Sequence, residues 1–583
     1  MNGALLLLLG CVCFLFAYFG YSRFVAKVLG VDSAHKTPAH TMRDGVDYVP
    51  AHPAVLFGHH FATIAGAGPI IGPVLAAQFG WLSVTCWVIL GCIFIGAVHD
   101  MVTLFLSVRH QGKSIGTVIE SVLGRPGKMI FLLFCLSALI LVMAEFTRQI
   151  ASAFVADPSV ATASLLSIAE AMLFSLCVYR LNIKVAWASL FFVPLLFLLV
   201  WVGVLFPLDL VKLLNVTDGQ ARSIWIIVLM VYCFLASTMP VWLLLQPRDY
   251  LNSYLLYAML TLGITGVFVV MPHLQINAFS GLTVEGAKGT MKLFPLLFVT
   301  VACGACSGFH ALVASGTTSK QLDNERHIRL VGYGGMLLEG VVALLALIAV
   351  ACLTQADLLA NLKTKEPVEL FASGLAGFCA SLGIPAATAK SFMLLSVAAF
   401  LMTSVDSCTR LARFTWQELF LTAQQTAPDA AENASEKPSA AVRCFSNMYV
   451  ATAIVVGIAV FLLVGCPKMA KDLWTMFASA NQMLAALTLL TATLWLLKNR
   501  LNFWIVLLPM FFMLVTSGTA VFSMFLTNVN RWMKHGFAEG GITAISAAVL
   551  FLLCITLLVL GGVCLRRIIK HRINEAIKRM AKE

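Results

Sequence analysis

The feature that most constrains this chain is a succession of uninterrupted apolar runs, from residues 3 to 22 at one end to 542 to 565 at the other. Each is close to the length of about 20 residues that a helix needs to cross the hydrocarbon of a bilayer. In that solvent only helices and closed barrels satisfy their own backbone groups. Barrel strands are about ten residues of alternating polarity, whereas these runs are continuous and longer, so the expectation is an all-α polytopic membrane protein. Composition agrees. With 60% hydrophobic and 11% charged residues among 583 and a mean hydropathy of +0.92, a soluble or disordered chain is excluded, and no loop has the length of a soluble enzyme.

Ten runs are clean, near residues 3 to 22, 54 to 79, 81 to 103, 127 to 155, 162 to 179, 185 to 207, 223 to 246, 252 to 271, 292 to 315 and 330 to 353. A short piece at 370 to 383, a long one from 388 to 421 and four runs near 446 to 465, 473 to 497, 503 to 526 and 542 to 565 follow, giving about 15 to 17 spans. The first run lacks a basic start and a small-residue cleavage site and reads as an uncleaved helix. One crossing is expected at 388 to 405, with 370 to 383 re-entrant or on the outer surface. Asp406, Arg410, Arg413 and Glu418 predict an amphipathic cytoplasmic helix over 406 to 421. The Ala-, Ser-, Glu- and Pro-containing stretch from Thr422 to Pro438 reads as a flexible linker. Four units are therefore expected: 1–53, a helix and cytoplasmic loop; 54–405, a core; 406–441, amphipathic helix and linker; and 442–583, a four-helix module with a basic tail.

The net charge of +12 comes from Lys and Arg concentrated on alternate loops and in the tail, where Arg566, Arg567, Lys570 and Arg572 cluster. Basic loops stay in the cytoplasm. The asymmetry predicts an outside N-terminus, a cytoplasmic C-terminus and no nucleic-acid partner. Most of the 16 cysteines lie in apolar runs, where Cys behaves as a small hydrophobe. Cys303 and Cys306 have metal-like spacing without a second pair and read as packing. HExxH and the phosphate-loop pattern are absent, so neither a metal site nor ATP-driven chemistry is expected.

Three weaknesses interrupt the runs. Gly66, Gly68, Pro69, Gly72 and Pro73 fall within eight residues of one another; Ala236 to Pro240 and Cys303 to Gly308 are the others. Broken helices are tolerated only where protein or a water-filled cavity receives the freed backbone. The first two weaknesses lie in the second and seventh spans, five apart and opposite in direction, which is the pattern of an inverted five-plus-five repeat whose half-helix ends bind substrate and ions at mid-membrane. The expected substrate-binding residues are His59, His60, Gly66, Gly68, Pro69, Ser237, Thr238 and His310.

Ionisable groups at mid-span cost roughly 2.5 to 3.5 kcal/mol on insertion scales and call for a partner or a function. Glu145 and Arg148, at i and i+3, can pair on one helix face. They are candidates for ion coupling together with Glu339, Asp406 and the hydroxyls of Ser315, Thr317 and Thr318. His99 and Asp100, and Arg248 and Asp249, close the third and seventh runs on one predicted side and read as gate pairs. The histidines suit proton coupling, because imidazole titrates near neutral pH.

Five motifs in order carry a family resemblance: DGVDYVP at Asp44 to Pro50, LFGHHFATIAGAGPIIGPVLA at Leu56 to Ala76, GAVHD at Gly96 to Asp100, PRDY at Pro247 to Tyr250, and ACGACSGFHALVASGTT at Ala302 to Thr318. With them the chain closely resembles the carbon starvation protein A family, also called the peptide transporter carbon starvation family. His99 stands where the family is expected to have Gln. The resemblance implies a bacterial inner-membrane importer of peptides or pyruvate, related to LeuT-like transporters. Together these readings predict a secondary active transporter for a small carboxylate-bearing nutrient, driven by protons, with no bound cofactor. The alternatives are sodium coupling, a channel or a membrane-embedded sensor. A homo-oligomeric contact or a small protein partner is a further expectation at the C-terminal helices, with lipid contact as its alternative.

Overall fold

The computed structural model describes residues 1–44, 48–240, 242–287, 289–420 and 440–580. Among the described residues the apolar runs become thirteen helices long and apolar enough to cross a membrane, and one bent pair that makes a fourteenth. In chain order these are α1 (Gly3–Leu29), the bent pair α2 (Pro53–Ile64) and α3 (Gly68–Phe79), α4 (Trp81–Arg109), α5 (Ile115–Ala156), α6 (Pro158–Tyr179), α7 (Val185–Leu205), α8 (Asp218–Thr238) and α9 (Leu245–Val270). A second interrupted element follows, α10 (Leu293–Thr300) and α11 (309–321), and then α12 (Glu325–Ala351), the short α13 (Pro367–Ala380) and α14 (Ala386–Phe420). The C-terminal helices are α15 (Met448–Gly465), α16 (Leu473–Lys498), α17 (Trp504–His535) and α18 (Phe537–Asn574). The strands form one antiparallel hairpin, Thr283–Gly286 with Gly289–Lys292.

Local chemistry sets the ends. Pro53 opens α2 at a position whose N–H has no helical partner. Thr217 and Gln220 form a capping box at the start of α8. In α5, Gly124 takes φ 76°, which no side-chain-bearing residue adopts cheaply, and Pro126 follows it. The apolar run, which begins near residue 127, therefore starts about three turns after the helix does.

The first predicted break is present: Ala65 leaves helical geometry at ψ 58°, and α2 and α3 meet at 49°. Its partner is 301–308, because α8 simply ends at Thr238. Pro240 lacks an N–H and disfavours helix in the residue before it, and here it falls where a 21-residue helix is already complete. The two real interruptions touch. A Cβ on Gly72 would stand 2.7 Å from Thr300 O and 3.1 Å from Val301 Cα, so only glycine lets α3 lie directly on the second break.

Two further expectations are corrected. Residues 406–420 are not a separate surface helix but the continuation of the 35-residue α14, with Asp406 and Arg413 buried because α8 and α9 supply their partners. Nor does the C-terminal segment lie outside the core: α16 is buried along most of its length and packs on α5, α4, α10 and α11 as well as α17 and α18. The linker from Thr422 to Pro438 lies outside the described residues.

Candidate functional site

Unwinding at 301–308 frees backbone groups that must find partners away from water. Neighbouring side chains supply them. From α4, Trp87 Nε1–H donates to Val301 O at 3.3 Å and Cys92 Sγ–H to Gly304 O at 3.1 Å. From α16, Asn481 Oδ1 accepts the Phe309 N–H at 2.8 Å, Asn481 Nδ2–H donates to Ser307 Oγ at 3.0 Å and to Cys303 Sγ at 3.2 Å, and the Asn481 carbonyl accepts the Gly308 N–H at 3.1 Å.

In the first turn after this break, His310 stands between two carboxylates on different helices. Its Nδ1 is 2.7 Å from Asp100 Oδ2 on α4, and its Nε2 is 3.1 Å from Glu339 Oε2 on α12. The Asp100 contact is a well-directed hydrogen bond; the Glu339 contact is an ion-pair approach whose angle falls short of one. His99 Nδ1 lies 2.8 Å from Asp100 Oδ1. All four side chains are buried. Single π-turns at Cys92–Gly96 and Ala314–Thr318 precede His99 and follow His310, a local widening that recurs at functional sites.

The triad does chemistry through its charge balance. With a neutral imidazole and both carboxyls ionised, it would place two like charges together in a low-dielectric interior, at a cost of several kcal/mol. With an imidazolium the net charge is one negative, and one more proton makes it neutral. Two buried carboxylates and a histidine so arranged can take up and release a proton as the surrounding helices move.

His60 joins this region: its Nδ1 is 2.9 Å from Thr318 Oγ1, while Nε2 has no partner among the described residues. His59 is half-buried and makes no side-chain hydrogen bond among the described residues. Gly66, Gly68 and Pro69 are buried at the first break, Gly68 directly against Cys303 and Gly66 against Ser404. Ser237 and Thr238 are elsewhere, at the end of α8. There the Ser237 carbonyl accepts from Arg413 Nη1 at 2.8 Å, and Thr238 Oγ1 bonds back to its own helix. Ser315 and Thr317 donate their hydroxyl hydrogens to their own helix, at Ala311 O and Val313 O, and Ser315 Oγ also accepts the Ile115 N–H at 3.1 Å.

The two expected gate pairs separate. His99 and Asp100 do not close α4, which runs on to Arg109; Asp100 belongs to the central triad and His99 bonds to it. Arg248 instead pairs with Asp406, in a buried group completed by Tyr232, whose hydroxyl donates to Asp406 Oδ2 at 2.7 Å, and by Thr403, which accepts from Arg248 Nη2 at 3.2 Å. Asp249 keeps a buried Oδ1 without a hydrogen-bond partner among the described residues. Glu145 and Arg148 pair as expected, with Nη2 to Oε1 at 2.8 Å and Nε to Oε2 at 3.1 Å. Arg148 Nη1 also reaches Glu366 at 2.8 Å, so the guanidinium is shared between two carboxylates.

Sequence reasoning missed Asn481, Tyr232 and Glu366. Asn481 and Gln482 are a polar pair inside an apolar run, a signal of the same kind that marked Glu145. Glu366 sits just before Pro367 in a polar loop, and nothing in its neighbourhood set it apart.

Helices interrupted at mid-bundle, with buried ionisable groups gathered at the interruption, define a multi-pass transporter fold. The fold is shared with a solved manganese transporter from Eremococcus coleocola, at a TM-score of 0.51 with 10% sequence identity, over 92% of this chain and 99% of that one. The sequence profile of the family described as "Carbon starvation protein CstA" matches residues 2–366 and 359–520. The chain belongs to this family. A peptide transporter CstA from Campylobacter jejuni is 33% identical over 88% of this chain and 79% of its own length. One from Bacillus subtilis is 32% identical over 90% and 91%. The pyruvate/proton symporter BtsT of Escherichia coli is 39% identical over 58% of this chain and 47% of its own. The chain is thus a secondary transporter and not an enzyme.

Proposed function

We propose that this protein imports a small carboxylate-bearing nutrient, a peptide or pyruvate, across the bacterial inner membrane by alternating access coupled to proton entry. The observation that carries the reading is His310, held by Asp100 and Glu339 beside the second helix break. A proton arriving from outside neutralises the triad and lets the loaded site reorient; its loss to the cytoplasm restores the charge. The proton gradient is the energy source, and no bound cofactor is called for. The names of the peptide transporters and of the pyruvate/proton symporter support the substrate class and the coupling ion. The distribution of Lys and Arg supports an outside N-terminus and a cytoplasmic C-terminus.

The test is uptake of labelled pyruvate and of a labelled dipeptide into proteoliposomes, first under an imposed pH gradient and then under a sodium gradient. Accumulation is expected under the pH gradient alone and is abolished by a protonophore. Accumulation under sodium alone, or none under either, would overturn the reading.

A further inference from the structure

The unwound segment 301–308 hangs between two helices. On one side α4, which carries Asp100, bonds the Val301 and Gly304 carbonyls through Trp87 and Cys92. On the other, Asn481 alone bonds Cys303, Ser307, Gly308 and Phe309, one residue short of His310. The approach is close because Gly308 has no side chain: a Cβ there would overlap Asn481 O and Ala485 N. The run around Asn481, Phe477 to Leu484, is otherwise small or apolar apart from Ser479 and Gln482, and all of it is buried. A carboxamide in such surroundings is costly unless its donors and acceptor are used. Here they are used on the break and not within α16. Gln482, the next residue, donates Nε2–H to Phe298 O at 2.5 Å on the other side of the interruption.

We propose that Asn481 is a positioning residue for the unwound segment, setting where His310 stands relative to Asp100 and Glu339, so that a C-terminal helix takes part in the transport cycle. The proposal rests on the transport reading above for its functional consequence. Its structural half is tested independently through Cys303, whose buried thiol accepts from Asn481 Nδ2–H.

The experiment uses full-length protein carrying N481A, N481D or S307A. Asn481→Asp keeps the acceptor for Phe309 N–H and removes both donors; Asn481→Ala removes all three side-chain bonds. Two readouts are taken on folded, monodisperse protein: the rate of Cys303 alkylation by a maleimide, resolved by peptide mass spectrometry, and the KM, kcat and pH profile of uptake in proteoliposomes. The expected result is faster alkylation of Cys303, a fall in kcat/KM of about tenfold, equivalent to about 1.4 kcal/mol, and a displaced pH profile, with N481D less affected than N481A. Wild-type alkylation and an unchanged pH profile would overturn the proposal, even if kcat fell, because a merely structural contact lowers the yield of active protein without moving either. If neither Asn481 variant folds, S307A decides, and unchanged Cys303 alkylation in it counts against the proposal. Failure of the wild-type protein to accumulate either substrate would instead remove the transport reading and leave the alkylation result standing.

Discussion

At the scale of single residues, His310 is the group on which two interrupted or neighbouring helices agree. A hydrogen bond to a charged group is worth about 1.5–3 kcal/mol, so replacing the imidazole with Gln, which can donate to Asp100 but cannot be protonated, removes the positive charge between the carboxylates and the proposed carrier of the proton. H310Q is expected to lose pH-driven accumulation by tenfold or more while retaining exchange of labelled for unlabelled substrate across the membrane, which a counterflow assay checks. On the proton-coupled reading proposed above, wild-type uptake is expected to rise as the external pH falls, because protons are then supplied from the side that loads the triad; in H310Q that dependence is expected to flatten. Arg148 permits a second prediction. From the sequence, a swap of Glu145 and Arg148 looks partly tolerable, since the pair would be kept in reverse. With Glu366 on the same guanidinium, the swap E145R/R148E sets a carboxylate against Glu366. It is expected to be no better than R148Q, each losing about 3–5 kcal/mol for a broken buried pair, read as a lowered unfolding temperature of the purified protein.

At the scale of elements, the interruptions decide what the helices can do. The Gly and Pro cluster from Gly66 to Pro73 marked a true break because its glycines also permit close contact: Gly72 lies on the backbone of Thr300 and Val301. G72V is expected to force α3 and the second break apart, costing about 1–3 kcal/mol by overpacking and lowering both the unfolding temperature and the uptake rate. Ala236 to Pro240 has one proline and no glycine, and it only ends α8, because a proline can mark the end of a helix as well as a break within one. Residues 406–420 mislead for the opposite reason. Their spaced charges read as a wetted face, but Asp406 is met by Arg248 and Tyr232, and Arg410 and Arg413 by the carbonyls at the end of α8. Cations are favourable at a helix C-terminus.

For the whole molecule, the position of α16 has a direct consequence. The first 420 residues lack the helix that bonds the second break, so 1–420 produced alone is expected to be inactive and unstable. Co-expression of 1–420 with 440–583 is expected to give a complex that purifies together and restores pH-driven uptake, since the burial of α16 against α5, α10 and α17 does not require a continuous chain. Co-purification on an affinity tag carried by one fragment, followed by uptake measurement, checks this. The sequence by itself determined that the chain is helical and crosses a membrane many times, where the first break falls, and that Glu145 pairs with Arg148. Each of these follows from local chemistry: span length, proline and glycine content, and i, i+3 spacing. Only the tertiary structure decided that the Cys303 to Gly308 weakness, and not Ala236 to Pro240, is the second break, that Asp100 and Glu339, 239 positions apart in number, meet across His310, that Arg148 is shared with Glu366, and that Asn481 bonds the unwound segment. A buried charge or a freed backbone group shows in the sequence only as a demand for a partner. Which distant residue meets that demand is set by how the helices pack.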